Sequence, residues 1–145
     1  MVPDDFTIPA TLETNRMRLR MLTIQDAVKD FEAVMESKDY LLANFDSSSN
    51  WPEGLTLEQN IIELGWHQTE FQQRTSFAYT VAALDESTLL GCVYIYPTHH
   101  LEYDAEVTMW VRTSQMKTSL NMHLFNAIQS WMHSCWPFKN IKFPT

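Results

Sequence analysis

The chain has 145 residues, of which 45% are hydrophobic and 12% aromatic, and its formal net charge is -8. These values predict one folded domain with a substantial core and exclude a disordered chain. The ten Lys and Arg residues form no run, so we expect neither nucleic acid nor an anionic membrane as a partner. Residues 1–20 hold no apolar signal region and no apolar run reaches membrane-spanning length, which predicts a cytoplasmic protein.

Cysteine and glycine usage excludes several kinds of site. Cys92 and Cys135 have no metal-ligand spacing, so we expect two buried structural thiols in a reducing compartment and no metal site. Glycine occurs only at Gly54, Gly65 and Gly91. This scarcity excludes a dinucleotide-binding G-x-G-x-x-G, a P-loop and a nucleophile elbow, because each of them needs glycines at fixed spacing.

The start of the chain predicts a strand followed by a helix. Residues 1–15 are expected to form an extended lead-in, and residues 16–22 alternate basic and apolar side chains, as in a half-buried or edge strand. Thr23 and Asp26 are typical of a helix N-terminus. The expected buried face of this helix is Ile24, Ala27, Val28, Phe31, Val34 and Met35.

A second helix is expected to begin near Thr56, where Gln59 completes the pattern of a capping box. Residues 46–52, which precede it, have the composition of a surface turn. The expected buried face of the second helix is Leu57, Ile61, Leu64 and Phe71.

The second half predicts three consecutive strands, a helix and a short strand. In residues 77–84 and 89–96 both the odd and the even positions are apolar, as in strands covered on both faces. A tight turn joins the two segments. Residues 103–111 alternate with period two, and residues 140–143 form a short last strand. The helix between these two strands repeats apolar residues at Leu120, Leu124, Ile128, Trp131 and Cys135. A loop rich in basic and hydroxyl side chains opens that helix and is a candidate anion site.

This order of elements resembles the GNAT family of acyl-CoA-dependent N-acyltransferases. The segments that carry the resemblance are RLRMLTIQDA at residues 18–27, LGCVYI at 90–95, AEVTMWV at 105–111 and LFNAI at 124–128. The resemblance covers nearly the whole chain from about residue 16. It implies an α/β layered fold, with a mixed central sheet flanked by helices, in one domain over residues 1–145.

The resemblance also implies acetyl-CoA as co-substrate. In that family the pantetheine arm lies along the strand equivalent to residues 105–111, and the pyrophosphate binds amides of the loop that follows. The implied cofactor contacts are Met109, Trp110, Val111, Gln115, Met116, Lys117, Thr118, Ser119, Leu120 and Asn121. The usual loop pattern, Arg/Gln-x-x-Gly-x-Gly/Ala, falls on Met116, Ser119 and Asn121, or one residue earlier on Gln115, Thr118 and Leu120. Neither register keeps the glycines, and Lys117, Thr118 and Ser119 are expected to supply donors to the anion instead.

Glu106 is the candidate catalytic base. It shares one face of its strand with Asp104, Thr108 and Trp110. The resemblance implies that Glu106 takes the proton of the acceptor amine, directly or through water. The alternative is a carboxylate that only hydrogen-bonds neighbouring strands. Trp110 is expected to line an acceptor cleft.

The predicted function is acetyl transfer to an amine of a small molecule or of a protein. Members of the family commonly continue past the strand equivalent to residues 140–143, so the resemblance leaves the catalytic acid unassigned. Two alternatives stay open, namely a catalytically degenerate acyl-CoA-binding module and an interaction domain with the same fold. The open sheet edge beside the last strand is consistent with a homodimer.

Overall fold

The computed structural model describes residues 1–45 and 50–144. The strands are β1 (Thr11–Glu13), β2 (Arg18–Met21), β3 (Phe77–Ala82), β4 (Leu89–Tyr96), β5 (Ala105–Val111) and β6 (Ile141–Lys142). The helices are α1 (Ala27–Glu36), α2 (Lys38–Asn44), α3 (Leu57–Gln72), α4 (Thr113–Met116) and α5 (Leu120–Cys135), with a 3-10 turn at Ile24–Asp26 before α1. Of the turn predicted at residues 46–52, residues 46–49 lie outside the described residues.

The strands form one mixed sheet in the order β1-β2-β3-β4-β5-β6. Each neighbouring pair from β1 to β5 is antiparallel, whereas β6 runs parallel to β5. The connection from β5 to β6 contains α5, because a parallel strand needs a crossover rather than a tight turn. The predicted mixed sheet flanked by helices is therefore confirmed.

The sheet separates two apolar clusters. On one face the apolar side of α5 packs against β5, with Leu124 and Ile128 fully buried. On the other face α1, α2 and α3 cover β3, β4 and β5, where Cys92 and Trp110 are buried. The predicted inward face of α5 is confirmed except at its end, because Cys135 is exposed. The expectation of two buried thiols was thus wrong for Cys135, which lies in the last, solvent-facing turn of the helix.

The lead-in and the first strand differ from their predictions. Within the lead-in, β1 pairs with β2 through Leu12 and Leu19, so β2 has a strand on each side and is not an edge. A strand of three residues is too short to produce a readable alternation. The short helices α2 and α4 were not predicted for the same reason.

The buried faces predicted for the first two helices were wrong in part. Ile24 is 49% exposed and Val28 66% exposed, while α1 buries Asp30 with Ala27, Ala33 and Val34. Likewise Leu57 and Ile61 of α3 are exposed, and the helix buries Asn60 and Leu64. The cause is a hydrogen bond from Asn60 Nδ2 to Asp30 Oδ2 at 2.9 Å, which lets two polar residues occupy inward positions.

Candidate functional site

A cavity of about 450 Å³ opens on the sheet face that α1 and α3 cover. Its carboxylates are Asp30, Glu63, Glu70 and Glu106, and its aromatic side chains are Phe45, Trp51, Trp66, Tyr94 and Tyr96. This volume is within the range of small-molecule sites. No Lys or Arg of the described chain lines the cavity, so its interior has a negative potential.

The register between β4 and β5 shows which residues lie at each end of the cavity. On β4, Cys92 pairs with Trp110, Tyr94 with Thr108, and Tyr96 with Glu106. Paired residues of an antiparallel ladder share one face, so Tyr96 and Glu106 lie together at one end of the cavity. Asp30 lies at the other end, because the Cys92 thiol donates to Asp30 Oδ1 at 3.4 Å.

Glu106 occupies the cavity wall on β5, and its side chain is 34% exposed. Its one described cationic neighbour is Lys142 on β6, with 3.7 Å between Lys142 Nζ and Glu106 Oε1. A contact of that length between partly exposed side chains is weak, so the Glu106 carboxylate can accept a proton or a hydrogen bond from an occupant of the cavity. Glu106 and Thr108 of the predicted polar face both line the cavity, whereas the role of Glu106 as base stays a prediction.

Asp30 is the most buried of the cavity carboxylates, at 3% exposure. Burial raises the pKa of Asp30 to about 6, although hydrogen bonds from Asn60 and Cys92 act in the opposite direction. The nearby Asp26 differs, because Arg20 donates to both of its oxygens, at 2.8 and 3.0 Å. No described Lys or Arg forms an ion pair with Asp30.

Asp30→Asn is expected to make the folded chain more stable at pH 7, by on the order of 2 kcal/mol. The pKa of Asp30 in the fold lies above its usual value of 3.8, so ionisation costs stability as pH rises from about 4 through about 6. Urea unfolding at pH 4 and pH 7 measures the difference. Asp5→Asn, an exposed substitution, is the control. An equal effect of Asp30→Asn at both pH values would contradict the assignment.

Trp110 does not line the cavity, contrary to prediction. Its side chain is buried at 3% exposure, and its indole Nε1 donates to the Tyr94 hydroxyl oxygen at 3.0 Å. The Trp51 ring packs against it, with ring centroids 6.4 Å apart. The indole thus fixes the Tyr94 ring, which does line the cavity together with the stacked ring of Tyr96. Burial raises the pKa of both phenols, so both keep their protons at neutral pH.

One face of α3 carries cavity residues that were not predicted. They are Asn60, Glu63, His67 and Glu70, which recur at intervals of three and four residues. Burial lowers the pKa of His67, so its ring is neutral at pH 7. Its Nδ1 atom and the Thr108 hydroxyl on β5 are buried without a hydrogen-bond partner among the described residues. The signal that could have found this face is a stripe of polar residues at helical spacing.

The opposite edge of β5 is open beyond Glu106. β6 pairs with β5 only through Ala105–Ile141 and Glu106–Lys142. From Val107 to Val111 this edge has no strand partner in the described chain, so its backbone groups are free to bind an extended molecule. Glu106 therefore lies where the cavity on one face meets the point at which the two strands separate.

The loop after β5 keeps an unusual backbone geometry at its last residue. Ser119 has φ 59° and ψ 29°, the left-handed conformation that glycine adopts most easily. α5 begins immediately after it, without a side-chain cap on its first amides. The loop therefore has, at this position, a backbone conformation that favours glycine, although the residue is serine.

The ten predicted cofactor residues divide by burial. Lys117, Thr118, Ser119 and Asn121 are exposed, and Met109, Gln115 and Met116 are partly buried. The side chains of Trp110, Val111 and Leu120 are buried, so these three residues can contact a cofactor only through their backbone.

The basic residue that opens the loop is not available to an anion. The buried Arg112 guanidinium donates to Glu36 Oε1 at 3.0 Å and to Glu32 Oε1 at 3.3 Å. The Ser114 amide and hydroxyl donate to Glu36 Oε2, so this carboxylate also occupies the start of α4. Arg16 instead reaches the loop from the chain before β2 and donates to the Thr118 carbonyl oxygen at 2.9 Å. In the described chain, Arg16 and Lys117 are the cations that remain near the start of α5.

Two negative observations limit the chemistry of the described residues. They contain no group of three or more His, Cys, Asp or Glu side chains placed to hold a metal ion. Across the described ranges, no helix is both long enough and apolar enough to cross a bilayer.

Sequence comparison identifies no relative, whereas structural comparison identifies many. No protein-family model matches the chain, and no curated protein matches it. The fold is similar to ribosomal-protein-S5-alanine acetyltransferase from Vibrio fischeri, with 16% identity and a TM-score of 0.66 over 86% of this chain and 67% of that one. It is similar to the microcin C7 self-immunity acetyltransferase MccE, solved with acetyl-CoA and AMP, with 13% identity and a TM-score of 0.66 over 88% and 69%.

A third similar structure is a chimera of spermidine N-acetyltransferase SpeG from Vibrio cholerae and hSSAT, with 12% identity and a TM-score of 0.61 over 88% of this chain and 69% of that one. The names of these proteins specify different acceptors, so their common fold does not select one. Taken with the strand order and the open edge of β5, these similarities show that the chain has the fold of the GNAT acetyltransferases.

Proposed function

We propose that this chain is an acetyl-CoA-dependent N-acetyltransferase that acetylates an amine held in the acidic cavity. The observation that carries the proposal is the position of Glu106. This residue lines the cavity, and it forms the last β5 pair with β6 before the two strands separate. An acyl donor along the open edge and an amine in the cavity would meet beside one carboxylate.

The residues of the open edge and loop suit an elongated, anionic acyl donor. Backbone groups of residues 107–111 are available to hydrogen-bond an amide-containing arm. The uncapped amides at the start of α5, with Arg16 and Lys117 nearby, favour a pyrophosphate. MccE, which is similar in fold, has been solved with acetyl-CoA, and this supports the same donor here. The chemistry that acetyl-CoA supplies is an activated acetyl group on a thioester.

Glu106 would act as the general base that removes a proton from the acceptor amine. An ammonium ion has no lone pair and cannot attack an acyl carbon, so it must first lose a proton. The Glu106 carboxylate, with its weak ion pair to Lys142, would take that proton directly or through a water. The walls of the cavity would hold the amine in place, which supplies part of the rate enhancement through proximity.

Calorimetric titration with acetyl-CoA is the test of the donor site. Wild-type protein is expected to bind acetyl-CoA, and Ser119→Gly is expected to bind it more tightly and to raise the free energy of unfolding by about 1 kcal/mol, because the left-handed conformation costs glycine nothing. Ser130→Gly in the right-handed backbone of α5 is the control and should lower stability by about 0.5 kcal/mol. Absence of binding to both wild type and Ser119→Gly would refute the donor assignment.

A second candidate function is an acyl-CoA-binding module without turnover. The strained serine at the loop favours it, because a Cβ there crowds the backbone that would approach the phosphates. Acetyl-CoA binding without thiol release in the presence of any amine would support the module over the enzyme.

Compartment and assembly are the remaining parts of the proposal. Both cysteines are free thiols, which supports a reducing compartment such as the cytoplasm. The outer edge of β6 has no strand partner in the described chain and would allow a homodimer to form by strand addition.

A further inference from the structure

We propose that the acceptor is a small diamine, whose reacting amino group lies at the Glu106 end of the cavity and whose second ammonium group binds Asp30. The inference rests on the proposed acetyl transfer, because it names the acceptor of that reaction. It assigns Asp30 a binding role beside the role as base proposed for Glu106.

The carboxylates of the cavity favour a ligand that carries two separate positive charges. One pair of carboxylates, Asp30 and Glu63, lies near Asn60, and the other pair, Glu70 and Glu106, lies near Tyr96. A neutral or singly charged occupant would leave one pair uncompensated in a confined space. A dication would compensate both pairs.

Among the described residues, Asp30 lacks the counter-ion that its neighbour Asp26 has. The Asp26 carboxylate is bound by Arg20 and by the Thr80 hydroxyl at 3.1 Å, whereas the donors to Asp30 in the described chain are the neutral groups of Asn60 and Cys92. A buried carboxylate without a cation is costly, and it faces a cavity that could admit one. An ammonium group at this position would supply the missing charge.

The length of the cavity sets the separation of the two nitrogens. Asp30 lies beside Cys92 and Glu106 beside Tyr96, and these β4 residues are four positions apart, which is about 13 Å at the rise of a strand. A hydrogen bond of about 3 Å at each end leaves about 7 Å between the nitrogens. An alkyl chain of about four or five methylene groups spans that distance with C–C bonds of about 1.5 Å.

The middle of the cavity suits such a chain. The Tyr94 and Tyr96 rings stack with centroids 5.8 Å apart, and the His67 ring lies 5.3 Å from that of Tyr94. Apolar ring faces accept methylene groups and also attract ammonium groups at their margins. The Thr108 hydroxyl, two residues from Glu106 on β5, has no hydrogen-bond partner among the described residues and offers an acceptor to the reacting amine.

The proposed step is balanced without another reactant. The reacting ammonium group gives one proton to Glu106, the nitrogen of the resulting amine forms a bond to the acetyl carbon, and the carbon–sulfur bond of the thioester breaks. The attacking nitrogen then loses its second proton, and the leaving thiolate gains a proton to become the free thiol. The ammonium group at Asp30 keeps its charge throughout, so the product is a monoacetylated diamine with one positive charge.

The inference can be tested by calorimetry without measuring acetyl transfer. The protein is titrated with 1,5-diaminopentane and with pentylamine, each in the presence and in the absence of coenzyme A. Wild-type protein should bind the diamine at least about 10-fold more tightly than the monoamine, because one additional ammonium–carboxylate pair forms. Asp30→Asn and Glu63→Gln should each reduce that ratio, Asp30→Asn to about one. Glu58, like Glu63, lies on α3, but its carboxylate is exposed and outside the cavity. Glu58→Gln should therefore leave the ratio of the two affinities unchanged.

Equal affinity for the two amines in the wild-type protein would overturn the inference, as would a ratio that neither Asp30→Asn nor Glu63→Gln reduces. Preference for the diamine without any thiol release would uphold the binding assignment while rejecting the proposed acetyl transfer. Thiol release with pentylamine as fast as with the diamine would uphold acetyl transfer while rejecting the diamine.

Discussion

Glu106→Gln is expected to lower kcat for acetyl transfer by about 10²–10⁴-fold, the usual contribution of a positioned general base. Glutamine keeps the size of the side chain but cannot take the proton of an ammonium group. The KM for acetyl-CoA should stay within about twofold, because the proposed donor contacts lie on the backbone of residues 107–111 and on the loop. Steady-state thiol release at saturating amine measures both constants.

The matched control for this substitution is Lys142→Met. It removes the same 3.7 Å ion pair but keeps the Glu106 carboxylate. If Glu106 acts as a base, Lys142→Met should retain most of the activity. Equal losses of activity in the two variants would show that the ion pair holds β5 and β6 together and that Glu106 is not the base.

Gly91→Ala is expected to lower the free energy of unfolding by about 3 kcal/mol or more, at the upper end of the cost of overpacking. A Cβ at this position would collide with the Trp110 carbonyl oxygen and lie 2.9 Å from the Val111 Cα atom. Both neighbours are backbone atoms of the buried strand β5, so no side-chain rotation can relieve the contact. Urea or thermal unfolding followed by circular dichroism measures the change.

Gly65→Ala is the control for added bulk. Its Cβ would meet only the Ile24 Cγ2 atom, at an ordinary contact distance of 3.7 Å. Alanine also favours the interior of α3, so this variant should gain about 0.5–1 kcal/mol. Destabilisation of similar size at both positions would contradict the close approach of β4 and β5.

Most of the sheet and α5 could be predicted because their signals are local. β4 begins and ends where its apolar run does, and α5 begins after Ser119 as the apolar repeat indicates. Thr56 Oγ1 accepts a hydrogen bond from the Gln59 amide, as the expected N-cap of α3 does. The spacing of apolar side chains and the capping of helices depend on residues that are close together in the chain. Both can therefore be recognised from a single sequence.

The cavity could not be predicted because its residues depend on distant partners. Asp30, Asn60 and Cys92 come from three separate elements and are buried only because they hydrogen-bond one another. A hydrophobic pattern assigns such polar side chains to solvent, which is why the faces of α1 and α3 were misplaced. The ion pairs of Arg112 could not be predicted for the same reason, since its partners Glu32 and Glu36 lie on α1.

The loop shows a different limit of prediction. Residues 112–121 contain no glycine, yet Ser119 adopts the left-handed conformation that glycine adopts most easily. The identity of the side chain determines how much free energy a backbone conformation costs. It does not determine whether the surrounding fold imposes that conformation.

Thiol release from acetyl-CoA, measured with and without 1,5-diaminopentane, tests the central claim most directly. Amine-dependent release that is lost in Glu106→Gln and kept in Lys142→Met is the result that acetyl transfer at this cavity predicts. Thiol release that does not depend on any amine, or its absence with all amines at saturating acetyl-CoA, would contradict the claim.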